Sequence, residues 1–118
     1  MVKVIIAGGR DFNDYELLKS SCDKILEDLI DVEIVSGGAR GADSLGEKYA
    51  IERGLPIKIF KADWAKHGKS SGFKRNIEMA EYADMLICFW DGESKGTRHM
   101  INTAHKYNIP TTTVSYAD

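Results

Sequence analysis

Short β-branched runs alternate along this chain with longer stretches whose apolar residues return every three or four positions. The first run, Lys3 to Ala7, ends at Gly8-Gly9 and has the continuous apolar character of a strand buried on both faces. Asn13 or Asp14 can then cap a helix that carries Tyr15, Leu18, Cys22, Ile25 and Leu29 on one stripe. Val32 to Val35 predicts a second strand. Ala42, Leu45, Tyr49 and Ala50 predict the inner stripe of a second helix, which stops at Gly54 ahead of Pro56. Ile57 to Phe60 predicts the third strand, after which Lys61 to Ser71 breaks the alternation by being polar and basic. Ser70 or Ser71 then caps a helix expected to carry Phe73, Ile77 and Ala80 inward. Met85 to Trp90 is the most apolar strand, followed by a helix marked by Met100, Ile101, Ala104 and Tyr107 or Asn108. Thr111 to Val114 supplies a short last strand, expected at an edge.

This alternation, with short connections and no repeat, predicts one α/β domain over residues 1–118. Its core is an open, mostly parallel five-stranded sheet with helices on both faces, joined by right-handed crossovers. Such sheets bind ligands beyond the carboxyl ends of their strands, where the strand order reverses. The loops that follow the strands should therefore converge on one rim, and the candidate chemistry lies in those loops.

The stretch Val35-Ser36-Gly37-Gly38-Ala39-Arg40-Gly41-Ala42-Asp43 reads as a strand, a phosphate-cradling loop and a helix start. Glycines let a ligand approach bare backbone, and the helix start offers unpaired N–H groups and a positive dipole end. The spacing is neither the dinucleotide fingerprint nor the P-loop, whose lysine is absent, and a turn needing glycine only for packing is the other reading. Asp43 and Glu47 share a helix face; Asp43 can complement the dipole, accept bonds from ribose hydroxyls or act as a base. Glu47 reads as a partner for Arg10 or Arg40.

Gly8-Gly9-Arg10-Asp11-Phe12 offers Arg10 to a phosphate and Phe12 to a base; in the alternative, Arg10 pairs with Asp11 and Phe12 covers the core. Asp91-Gly92-Glu93-Ser94-Lys95-Gly96-Thr97 repeats the combination of glycine, hydroxyl and helix start, as a second anion site or as plain capping by Ser94 or Thr97. Lys61, Lys66, His67, Lys69, Lys74 and Arg75 surround Trp64, a mixture that suits the phosphates and base of a nucleotide, single-stranded nucleic acid, or simple solvation.

The formal charge of −2 gives no global pull toward nucleic acid. The longest apolar run is too short to span a bilayer and the start of the chain lacks signal-peptide features, so a cytoplasmic protein with no membrane partner is expected. Cys22 and Cys88 read as reduced core residues. No His/Cys cluster has metal-ligand spacing, and no metal or cofactor is expected.

Taken together, the loops resemble the SLOG superfamily of Rossmann-like nucleotide-binding proteins, in its small YspA-type, YpsA-related branch. The resemblance rests on Ala7 to Phe12, Val35 to Asp43, Trp64 through Gly72 to Arg75-Asn76, and Phe89-Trp90-Asp91-Gly92 with Ser94 and Gly96-Thr97. It implies a single Rossmann-like domain that binds a nucleotide or nucleotide derivative, of the ADP-ribose, NAD or cyclic-nucleotide kind, as a sensor or sequestering protein. It also implies a homodimer or larger assembly. Phosphates would lie on the Gly37–Gly41 and Gly96–Thr97 loops, with Arg75 and Asn76 lining the site, and Lys69 of the basic segment is a further candidate ligand contact. More distantly the chain is similar to the cytokinin-activating phosphoribohydrolases, in which P-G-G-x-G-T is followed almost at once by a catalytic glutamate. Here Arg98, His99 and Met100 follow Thr97, so nucleotide hydrolysis would have to use Asp43, Glu47 or Asp91 together with Arg75. Some members of the superfamily bind single-stranded DNA; the net acidity of this chain argues against that, and Trp64 with Lys66 to Lys74 would have to carry it.

Overall fold

The structure, a computed structural model, describes residues 1–116. Its strands are β1 (Val2–Gly8), β2 (Val32–Ser36), β3 (Ile57–Ile59), β4 (Met85–Trp90) and β5 (Thr111–Ser115). Its helices are α1 (Tyr15–Leu26), α2 (Ala42–Glu52), the single turn α3 (Trp64–His67), α4 (Ser71–Tyr82) and α5 (Lys95–Lys106). The strands form one sheet in the order β3-β2-β1-β4-β5, every pairing parallel, with β3 and β5 at the edges.

Alternation along the central strands divides the core into two layers. Val4 and Ile6 pack with Leu18, Cys22 and Phe12 beneath α1 and α2, while Ile5 and Ala7 pack with Met79, Met100 and Ala104 beneath α4 and α5. Asp14 caps α1 by accepting the Leu17 N–H at 3.1 Å. Cys22 and Cys88 are buried and unbonded, and burial pushes both thiols up to about 12, so they remain protonated apolar groups. No helix among the described residues is long and apolar enough to cross a membrane.

Two expectations need correction. Phe12 does not face a ligand: it is 2% exposed, stacks on Phe89 with ring centroids 5.0 Å apart and meets the edge of Tyr116 at 4.7 Å, so the core-covering alternative holds. In α4 the buried positions are Ser71, Asn76, Met79 and Ala80, while Phe73 and Ile77 are exposed. The helix is rotated away from the apolar reading because Asn76 finds hydrogen-bond partners inside, which makes a polar residue acceptable on the inner stripe.

The strand order reverses between β1 and β4, which opens a crevice beyond their carboxyl ends. Gly41 brings the loop after β2 onto the loop after β1. Its φ of 77° is a left-handed value, and a Cβ there would lie 2.3 Å from the Gly9 carbonyl oxygen and 2.5 Å from that of Arg10. The Ala42 N–H completes this contact by donating to the Gly9 carbonyl at 3.1 Å.

Candidate functional site

The loops after β1, β2 and β4 and the start of α4 enclose a cleft of ≈ 750 Å³ at the switch point, a size suited to a small organic ligand. Gly8, Gly9, Arg10 and Asp11 line it from β1, Arg40 and Asp43 from the start of α2, and Lys69, Arg75 and Asn76 from the α4 side. Asp91, Ser94, Gly96 and Thr97 close it beside α5. A side lobe of ≈ 600 Å³ adjoins it and is bordered by Gly37, Gly38, Lys61 and Ala62. Arg10, Ala39, Arg40, Trp64 and Arg75 border both spaces. Phe12, Ser36 and Gly41 border neither; Ser36 and Gly41 hold the loops that do.

The glycine loop after β2 is not an empty amide cradle. The Gly38 N–H donates to Ser36 Oγ at 3.1 Å and the Ala39 N–H to Asp43 Oδ2 at 3.2 Å, while the Ala42 N–H is spent on Gly9. Ser36 Oγ in turn donates to Glu47 Oε2 at 2.6 Å, so the partner of Glu47 is Ser36 rather than an arginine. The protein's own Asp43 thus sits where an anion was expected at the start of α2. The loop after β4 is organised similarly: Asp91 Oδ1 accepts the Glu93 and Ser94 N–H groups at 2.8 Å each, and Ser94 Oγ meets the Thr97 hydroxyl at 3.0 Å. Those backbone bonds hold the Asp91 carboxyl below its ordinary range.

Asp43 is 5% exposed, and burial raises its carboxyl to about 6 against the opposing pull of the Ala39 N–H and the Arg75 charge. Arg75 is half-buried; burial lowers its value and the Asp43 charge raises it, and a guanidinium remains cationic under either influence. Arg75 Nη1 donates to the Gly37 carbonyl at 2.5 Å and Nε donates to Asn76 Oδ1 at 3.1 Å. A Cβ at Gly37 would lie 2.7 Å from Asp43 Oδ2 and 2.8 Å from Arg75 Nη1, so a side chain there would displace those two groups. The Arg75 bond fixes the Asn76 amide, whose Nδ2 lies 3.3 Å from the Gly96 carbonyl and 3.1 Å from His99 Nδ1. His99 Nδ1 must therefore accept, which requires the neutral imidazole, consistent with the downward shift that burial imposes on it. Phe73 stacks on the His99 ring at 4.2 Å and lines the cleft.

Asp43 gives this network a signature in stability. Its folded-state value lies above the unfolded one, so its stabilising contribution is complete below about pH 4 and is lost as pH rises through about 6. Between pH 4 and 8 the wild type is expected to lose about 2 kcal/mol relative to Asp43→Asn. Urea unfolding at a series of pH values measures this, and parallel profiles for the two proteins would contradict the burial of the charge.

The two ion pairs among the described residues, Met1 with Asp31 and Arg53 with Asp23, lie at the amino-terminal rim of the sheet. Among the described residues, Arg10, Arg40, Lys61, Lys69 and Arg75 consequently have no carboxylate within 4.0 Å. Lys61 and Trp64 belong to the basic segment legible in the sequence, but their places on the side lobe are set by the turn after β3. Phe73, which lines the cleft, and His99, which holds Asn76 behind it, carried no signal of those roles.

This is a Rossmann-like α/β protein with a cation-rich cleft at its switch point. Comparison with known proteins makes the assignment narrower. The chain belongs to the YspA, cpYpsA-related SLOG family, whose model matches residues 2–67. It is 36% identical over 117 residues to the Gene 61 protein of Mycobacterium phage D29, covering 93% of this chain and 94% of that protein. Among solved structures it is similar to TM1055, a structural genomics target, with a TM-score of 0.69 and 19% identity over 94% of this chain and 72% of that one. That likeness speaks for the fold. The family match ends before α4, so Arg75 and Asn76 join the site through the structure rather than through the matched segment.

Proposed function

We propose that the chain binds a nucleotide or nucleotide derivative carrying at least two phosphates, in the manner of a sensor or sequestering protein. The observation that carries this reading is the convergence of Arg10, Arg40, Lys61, Lys69 and Arg75, without carboxylate partners among the described residues, on two adjoining spaces beside an exposed Trp64. Guanidinium and ammonium groups suit phosphate oxygens, and the indole face suits a base. Family membership supports the same ligand class. The self-satisfied glycine loop moves the work of anion binding from backbone amides to these side chains.

A second reading, hydrolysis of the bound nucleotide, is favoured by one observation. The cleft holds Asp43, whose carboxyl is raised to about 6, together with Asp91, which is held ionised. Two carboxyls with values pushed apart can divide acid and base roles.

Thermal denaturation of the purified protein with nucleoside mono-, di- and triphosphates, NAD, ADP-ribose and cyclic nucleotides, with chromatography of each mixture, tests both readings. Stabilisation by an intact ligand is expected. Recovery of fragments would establish hydrolysis and name the bond. Gly38→Asp, which places a carboxylate among the side-lobe cations, is expected to remove the stabilisation; no shift with any nucleotide would refute the proposal.

A further inference from the structure

We infer that the two adjoining spaces have opposite roles, so that the ligand lies in one direction: phosphates in the side lobe after β2 and β3, sugar hydroxyls in the cleft after β1 and β4. This rests on the nucleotide reading above and deepens it. Among the described residues, the side lobe is bordered by Arg10, Arg40, Lys61 and Arg75 and by no carboxylate. The cleft has comparable cations but also Asp11, Asp43 and Asp91, together with the amide of Asn76. A phosphate pushed against Asp91 and Asp43 would meet like charge in a partly desolvated space, whereas a vicinal diol can donate to the same carboxylates. The floor of the side lobe is kept clear by Gly38, at φ 71°: a Cβ there would lie 3.2 Å from Ile59 and 3.3 Å from the Lys61 stem. Trp64 borders both spaces and is 54% exposed.

This direction differs from the one implied by family resemblance, which places a phosphate on the Gly96–Thr97 loop. In the structure that end of the cleft carries the Asp91 carboxylate, and the Thr97 side chain is turned onto Ser94. The class of ligand is a nucleoside diphosphate or an ADP-ribose-type molecule whose charged and hydroxylated parts are separable. Inorganic pyrophosphate isolates the first part.

Isothermal titration with pyrophosphate and with ADP-ribose compares the wild type with Lys61→Glu, Asp91→Asn and Lys24→Glu. The last is an equal charge change on α1, at the opposite rim. Lys61→Glu is expected to weaken both ligands by about tenfold or more, the loss of a charge-assisted contact and its replacement by repulsion. Asp91→Asn is expected to cost ADP-ribose more than pyrophosphate, and Lys24→Glu to cost neither. Pyrophosphate binding that survives Lys61→Glu and tightens in Asp91→Asn would place the phosphates beside Asp91, overturning the direction while leaving nucleotide binding intact. Nucleotide binding with no pyrophosphate binding would overturn it as well. If neither pyrophosphate nor any nucleotide binds, the direction and the nucleotide reading fail together.

Discussion

Arg75→Met is expected to weaken ligand binding by about a hundredfold, some 2.7 kcal/mol, as one charge-assisted contact is lost and the cleft rearranges. Arg10, Arg40 and Arg75 all border both the cleft and the side lobe, but Arg75 alone of the three is half-buried and held by hydrogen bonds to Gly37 and Asn76. Its removal also takes away the charge that opposes the burial of Asp43, and the Asp43 carboxyl should rise further. Two readouts separate binding from folding. Titration with the ligand found by the thermal screen gives the loss of affinity, and circular dichroism melting reports whether the fold persists. Arg75→Lys should recover only part of the loss, because an ammonium cannot hold the Gly37 carbonyl and Asn76 together while facing a phosphate. Full recovery by lysine would mean that charge suffices and that the fork geometry is idle.

Gly41→Val should be the most damaging single change outside the apolar core, destabilising the fold by about 4 kcal/mol or more. The added Cβ would fall inside contact distance of two backbone carbonyls, neither of which is the yielding end of a side chain, and the residue would be held at φ 77°. Gly54→Ala supplies the control. It has a similar φ of 66° but nothing within 4 Å of the added Cβ, so it should cost only about 1 kcal/mol. Urea unfolding of the two variants separates steric collision from backbone strain. Equal losses would show that the approach of the two loops contributes nothing beyond the conformation of one residue.

The sheet was legible because parallel strands buried on both faces require continuous β-branched runs, and such runs are rare elsewhere in this chain. The rim was legible for the same reason, since every loop with chemistry followed one of those runs. What escaped the sequence depended on partners distant along it. Phe12 reads equally as a base platform or as core until Phe89 and Tyr116 are seen around it. The resemblance puts Asn76 in the site, but its place on the inner stripe of α4 could not be read, because two of its three partners, Gly96 and His99, lie some twenty positions away. The rotation of α4 follows from Asn76, and with it the exposure of Phe73 and Ile77. Asp43 has the ordinary placement of an acid in the first turn of a helix; its burial comes from Gly37 and Arg75 folding over it.

The bonds that hold Arg75 also bear on the entropy of recognition. Its guanidinium is already committed to Gly37 and Asn76, so most of its rotamer freedom is surrendered when the chain folds and none of that cost falls on the binding step. Arg40 and Lys61 are exposed and keep their freedom until a ligand orders them. The pocket therefore has a rigid inner jaw and a compliant outer one. A ligand short enough to touch only the inner jaw meets a surface already set, whereas one that extends into the side lobe gains charge contacts at a cost in disorder.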